Sequence, residues 1–84
     1  MSLPPATKNI TAGLLVRALL KDGFVLRKKQ GKGRTYRHPD GRTVRVHFHH
    51  SGQTFPPGTR EKMIQDAGWT IDDLKRLKLI PQKP

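Results

Sequence analysis

Pro39-Asp40-Gly41-Arg42-Thr43-Val44-Arg45-Val46-His47-Phe48-His49 is the stretch on which the fold turns. Val44, Val46 and Phe48 alternate with Thr43, Arg45, His47 and His49. A period of two is the mark of a half-buried strand. The apolar set faces a core, so the Arg/His set must face solvent or a ligand. Pro39-Asp40-Gly41 is a turn signal, since Pro pre-sets one backbone angle and Asp and Gly tolerate the tight reversal. The strand is therefore the second arm of a hairpin whose first arm is Thr35-Tyr36-Arg37-His38.

Further toward the N-terminus lies Arg27-Lys28-Lys29-Gln30-Gly31-Lys32-Gly33-Arg34, a basic turn containing glycine, preceded by the extended Phe24-Val25-Leu26. Before that, Leu14, Leu15, Ala18 and Leu19 recur on one helical face. Thr11 can cap this helix and Gly23 can stop it, which places it at about 11–22. On the other side, His50-Ser51-Gly52-Gln53 reads as loop, and Pro56-Pro57-Gly58 leads into a helix from about Thr59 to Ala67, ended by Gly68. A short third helix starts at Thr70. Asp73 completes a capping-box variant, and Trp69 can staple to Leu74. Leu74 and Leu77 continue its apolar face and Pro81 stops it, with Leu79 and Ile80 read as packing. Phe24, Phe55 and Trp69 read as core or staple residues, and Tyr36 as a core residue of its strand. The order is αβββαα, without an internal repeat. Residues 1–9 form a Pro-rich, flexible tail in this reading, 10–80 a single domain and 81–84 a short C-terminal tail.

A chain of 84 residues supports one small core. Its formal charge is +11, from 17 Lys+Arg against 6 Asp+Glu. Such a charge says little about fold and much about partners. Between Phe24 and His47, eight basic residues stand against Asp40 alone, whereas Glu61–Pro84 is nearly balanced. Nucleic acid is the commonest polyanion that a small basic domain meets. No apolar run approaches the length of a membrane span, and no long basic amphipathic helix suggests a membrane surface. The first residues lack the basic start and apolar stretch of a signal peptide, so a cytoplasmic location is expected. Without cysteine there are no disulfides, thiol nucleophiles or thiolate metal sites.

The order of these elements, with particular residues, resembles the HicA toxin family. The match covers roughly residues 10–80. It runs through Ile10-Thr11, Gly23-Phe24, the basic strand and glycine turn, the hairpin at Pro39-Asp40-Gly41 and Val46-His47-Phe48-His49. It continues with Pro57-Gly58-Thr59, Ala67-Gly68-Trp69-Thr70 and the Leu-rich last helix. The resemblance implies an α+β, double-stranded-RNA-binding-like fold, with a three-stranded antiparallel sheet and helices on one face. It also implies metal-independent endoribonuclease activity on mRNA, without a cofactor, and a HicB-type antitoxin that covers the active site. Family members typically carry Gly-Ser-His at the turn between the first two strands. Aligned without gaps from Gly23-Phe24, this chain reads Gly31-Lys32-Gly33 there, with Gly33 at the His position. Aligned backward from Tyr36, a Ser-His pair is instead missing after Gly33, and either way the family's catalytic His has no counterpart.

Metal-free RNA cleavage needs a base for the ribose 2′-OH, an acid for the leaving oxygen and a cation for the phosphorane. His suits the first two roles and Arg or Lys the third. Of the four histidines, His49 occupies a position where many family members carry a second His. It is the candidate catalytic residue, with Lys32 or Arg34 stabilising charge. Lys28, Lys29, Lys32, Arg34, Arg37, Arg42, Arg45 and His47 are the candidate RNA contacts. His38 reads as a strand end. His47-Phe48-His49-His50 invites a metal reading, but no Cys or nearby carboxylate supports it, and no metal is expected. The glycine turn lacks the signature of a nucleotide-binding loop, so no nucleotide cofactor is expected either. An alternative is a HicA-like module that has lost cleavage and retains RNA or antitoxin binding. A DNA-binding regulator is a poorer fit, because the charge-balanced last helices suit a recognition helix badly.

Overall fold

A computed structural model of the chain describes residues 4–81. Helix α1 spans Ala12–Lys21, strands β1, β2 and β3 span Val25–Gln30, Gly33–Arg37 and Thr43–His47, and helices α2 and α3 span Pro57–Ala67 and Ile71–Arg76. The expected order is present, and local chemistry sets most of its boundaries. The Thr11 hydroxyl accepts from the Leu14 amide at the start of α1. A full capping box joins Thr70 and Asp73 at the start of α3. Helix α2 begins at Pro57, two residues before the expected start, because proline's fixed φ and missing N–H suit the first helical position. It ends on Gly68, whose φ of 71° is the left-handed conformation that favours glycine.

Two expectations need correction. Pro5–Asn9, read as part of a flexible tail, forms a 3-10 helix, and its Thr7 is buried. The Thr7 hydroxyl donates to the Pro4 carbonyl at 2.8 Å, which satisfies it out of water. Residues 1–3 and 82–84 of the expected tails lie outside the described residues. Leu14, read as part of the core face of α1, is 39% exposed, while Ala12, Leu15, Ala18 and Leu19 are buried. The buried stripe is centred one position round the helix, so Leu14 falls on its shoulder.

The sheet is antiparallel in the order β1-β2-β3. Tyr36 pairs with Val44 and Arg34 with Val46, which puts these residues on the inner face. Tyr36, Val44 and Val46 join the buried side chains of α1, α2 and α3 in one core, together with Phe24, Phe55 and Trp69. The expected α+β architecture is thus present, with a three-stranded sheet and helices covering one side. Strand β1 is exposed along its whole length, so its apolar Val25 and Leu26 stay outside the core. Its register shifts between Leu26 and Lys28, a bulge at Arg27.

One carboxylate ties the layers together. The Asp22 side chain, 11% exposed, lies at the end of α1. The Trp69 indole N–H donates to its Oδ2 at 2.9 Å, and Arg76 Nη2 donates to its Oδ1 at 2.9 Å. Arg42 Nη1 pairs with Oδ2 at 3.4 Å. Arg42 also holds Asp40 at 2.8 Å, donates to the Ala67 carbonyl and stacks over Phe24. The Asp22 backbone carbonyl meets His38 Nε2 at 3.0 Å.

Burial alone would raise the Asp22 carboxyl; the Trp69 N–H, Arg76 and Arg42 together outweigh it and hold the carboxyl below the ordinary 3.8. Asp40 and Asp73 are also lowered, chiefly by the backbone amides of Arg42 and Thr70. Depressed folded values stabilise the fold above the ordinary carboxyl range, and that stabilisation is lost as pH falls through them. Thermal unfolding followed by circular dichroism should therefore show Tm falling below about pH 4, with a shallower fall in Asp22→Asn. At neutral pH, Asp22→Ala should cost about 2–3 kcal/mol in urea unfolding, because it strands the Trp69 N–H and two guanidinium groups. A cost near zero would remove Asp22 from this role.

Candidate nucleic-acid interface and active site

The uncovered face of the sheet follows from the register. Gly33 pairs with His47, Thr35 with Arg45 and Arg37 with Thr43. On the other side, Gln30 pairs with Gly33, Lys28 with Thr35 and Val25 with Arg37. The central strand thus presents Gly33 and Thr35, two small residues, between longer side chains of the flanking strands. The result is a concavity of about 240 Å³ lined by Lys28, Gln30, Gly33, Thr35, Arg45 and His47. None of the three strands contains an acidic residue. The groove therefore has cations on both banks and no carboxylate of the sheet to oppose an anion.

At one end of this groove is the β1–β2 turn, Gly31-Lys32. Gly31 has φ of 59° and Lys32 does not have positive φ, the pattern of a two-residue turn with glycine first. This tight reversal aims Lys32 past the end of β3, where the Phe48 amide donates to the Lys32 carbonyl at 3.1 Å. Lys32 Nζ lies 2.7 Å from His49 Nδ1. The His47 and His49 rings meet edge to face, with centroids 5.8 Å apart. The fold thus gathers Lys32, His47 and His49 into one exposed cluster beside the groove.

His49 is positioned by its loop. Its backbone N–H donates to Gln53 Oε1 at 2.8 Å. The loop is anchored in turn to the start of α1: the Ala12 amide donates to the Gln53 carbonyl at 2.8 Å, and the Gly13 amide to the Ser51 carbonyl at 2.9 Å. Gln53 was not singled out in the sequence. Its role depends on a loop closing against a helix end, and local pattern does not report that.

The remaining candidates are dispersed. Arg37 shares the outer face but stands about 13 Å along β2 from Gly33. It borders a second hollow with Val25, Arg27, His38 and Pro39. Lys29 pairs with Arg34 on the opposite face of the sheet. Arg34 turns its guanidinium over the Phe48 ring, 4.8 Å from the centroid, away from His47. Arg42 is engaged with Asp22, Asp40 and Ala67, so it serves the fold and not the groove. His38, read as a strand end, is edge to face with Phe24 and bonded to the Asp22 carbonyl. Among the described residues, no three His, Cys, Asp or Glu side chains group as metal ligands. No helix among them is long and apolar enough to cross a membrane. A larger apolar groove beside Leu14, Leu79 and Ile80 lies apart from the histidine cluster.

What the arrangement offers chemically is two imidazoles and an ammonium at the mouth of a cation-lined channel. Imidazoles can move protons near neutral pH, and the ammonium can hold anionic charge. Among curated proteins none matches the chain. The family described as HicA toxin of bacterial toxin-antitoxin matches residues 15–69, from the core of α1 to Trp69, and therefore includes the whole sheet and α2. Covering more than half of the chain, and agreeing with the α+β fold, that match makes this protein a member of the HicA toxin family.

Proposed function

We propose that the outer face of the sheet binds RNA and that the cluster at its hairpin end cleaves it, as a metal-independent endoribonuclease neutralised by a HicB-type antitoxin. The observation that carries this reading is the contact of Lys32 with His49 beside His47, at the end of a groove flanked by Lys28 and Arg45. In this mechanism His49 takes the proton of a ribose 2′-OH. The 2′-oxygen attacks the adjacent phosphorus while the bond from phosphorus to the 5′-oxygen breaks. His47, as imidazolium, gives its proton to the departing 5′-oxygen, and Lys32 holds the charge of the phosphorane. The products are a 2′,3′-cyclic phosphate and a 5′-hydroxyl, and no redox step or metal is needed. A proteinaceous antidote covering this face meets a surface without carboxylates in its strands, so acidic side chains are the complement that it would supply.

Induced expression without the neighbouring antitoxin should arrest growth with loss of mRNA. His49→Ala should abolish the arrest and lower cleavage by about 10²–10⁴-fold while leaving RNA binding in place. Undiminished arrest in His49→Ala would remove His49 from the chemistry. Replacing Lys28, Lys32 and Arg45 together by Gln should weaken binding to single-stranded RNA and reduce the slope of log Kd against log salt by about 2. An unchanged slope would move the interface elsewhere.

A second reading, an RNA- or antitoxin-binding module without cleavage, is favoured by a β1–β2 turn that lacks the family's His. Gly33→His discriminates between the two. Gly33 lacks a positive φ, and a Cβ there would meet the Gln30 carbonyl oxygen at 3.5 Å and His47 Cδ2 at 3.8 Å, both ordinary contacts, so the backbone accepts a Cβ at this position. Cleavage by Gly33→His but not by the native chain would establish the second reading.

A further inference from the structure

The contact that defines the cluster also blocks it. A lysine ammonium has three donors and no acceptor. Lys32 Nζ lies 2.7 Å from His49 Nδ1, and because an ammonium can only donate, Nδ1 is the acceptor in this contact and the ring's N–H is left to Nε2. The only lone pair with which His49 can take a proton is therefore occupied. The groups facing His49 are Lys32 from the hairpin turn, His47 from β3 and Gln53 from its own loop. None is a carboxylate that would draw Lys32 away.

One partner of this contact is held and the other is free to move. The His49 backbone is bonded to Gln53, and the loop is bonded to the first amides of α1. Lys32 is an exposed residue on a flexible four-carbon stem at the tip of a hairpin. A phosphodiester entering the groove brings a full negative charge. A charge-assisted bond from an ammonium to phosphate is stronger than one to a neutral imidazole.

We propose that Lys32 masks His49 in the free protein and that a backbone phosphate of bound RNA takes Lys32 over, releasing Nδ1 as the base. The proposal rests on the reading of this cluster as an RNA-cleaving site. Lys32 keeps all its protons throughout. Once freed, Nδ1 receives the 2′-OH proton, and Nε2 retains its own, giving the imidazolium. The base thus exists only when a phosphate is seated beside it.

The test is two-bond ¹H–¹⁵N correlation spectroscopy of the histidine-labelled full chain, with a 2′-O-methyl oligoribonucleotide that cannot be cleaved. In the free protein His49 should appear as the Nε2–H tautomer with a hydrogen-bonded Nδ1. Saturation with the oligonucleotide should move the Nδ1 resonance to its unbonded position. Lys32→Met should show that position without the oligonucleotide and no further movement with it, whereas Lys32→Arg should resemble the native chain. If the oligonucleotide shifts the Thr35 and Arg45 amides but leaves His49 Nδ1 unmoved, the masking proposal is overturned and the RNA interface stands. The same holds if Lys32→Met gives the native Nδ1 resonance. If no outer-face amide shifts, the interface fails, and the proposal fails with it.

Discussion

The Asp22 carboxylate is the constraint on which the arrangement depends. It sits at the end of α1 and receives the indole N–H of Trp69, the guanidinium of Arg76 and the guanidinium of Arg42. These partners come from the α2–α3 junction, from α3 and from the entry to β3. Each pairing spans 20 or more residues of sequence. A small core is short of cohesion. Here a shielded carboxylate with matched donors orients the helices against one side of the sheet. The chain's strong positive charge makes this more important, because two arginines are drawn into the helical layer.

That use of charge shapes the rest of the molecule. All six acidic residues lie outside the strands, at Asp22, Asp40, Glu61, Asp66, Asp72 and Asp73. Several of them bind cations locally, as in Arg42 with Asp40, Lys62 with Asp66 and Arg76 with Asp73. The sheet is left with cations and no carboxylate. Helices α2 and α3 balance their own charges, and the sheet carries the field that an anion would meet. A groove arises there because β2 places Gly33 and Thr35 between the longer side chains of its neighbours.

The β1–β2 turn carries no His, yet it reaches the end of β3, where two histidines lie. Gly31 tightens the hairpin, Lys32 projects from it, and the end of β3 brings His47 and His49 to meet it. The turn thus faces His47 at the end of β3 and His49 in the loop that follows. The backbone bonds of Gln53 and Ser51 to the first amides of α1 couple this corner to the helix end.

Much of this was readable along the chain. Period-two alternation in Thr43–His47, the glycine and proline stops, the Thr11 cap and the Thr70–Asp73 box are local signals, and each resides in the residues that obey it. The basic middle of the chain and the resemblance to HicA also needed no coordinates. Which cations serve the groove was not readable, because a side chain's face depends on register and its freedom depends on distant partners. Arg42 and Arg45 look alike in sequence, but Asp22 and Ala67 engage the first while the second borders the groove. Arg34 and Lys32 look alike too, but pleat parity sends one over Phe48 and the turn sends the other to His49. Charge and periodicity are properties of a segment. The pairing of Lys32 with His49, 17 residues apart, is a property of closure, and only the packed structure decides it.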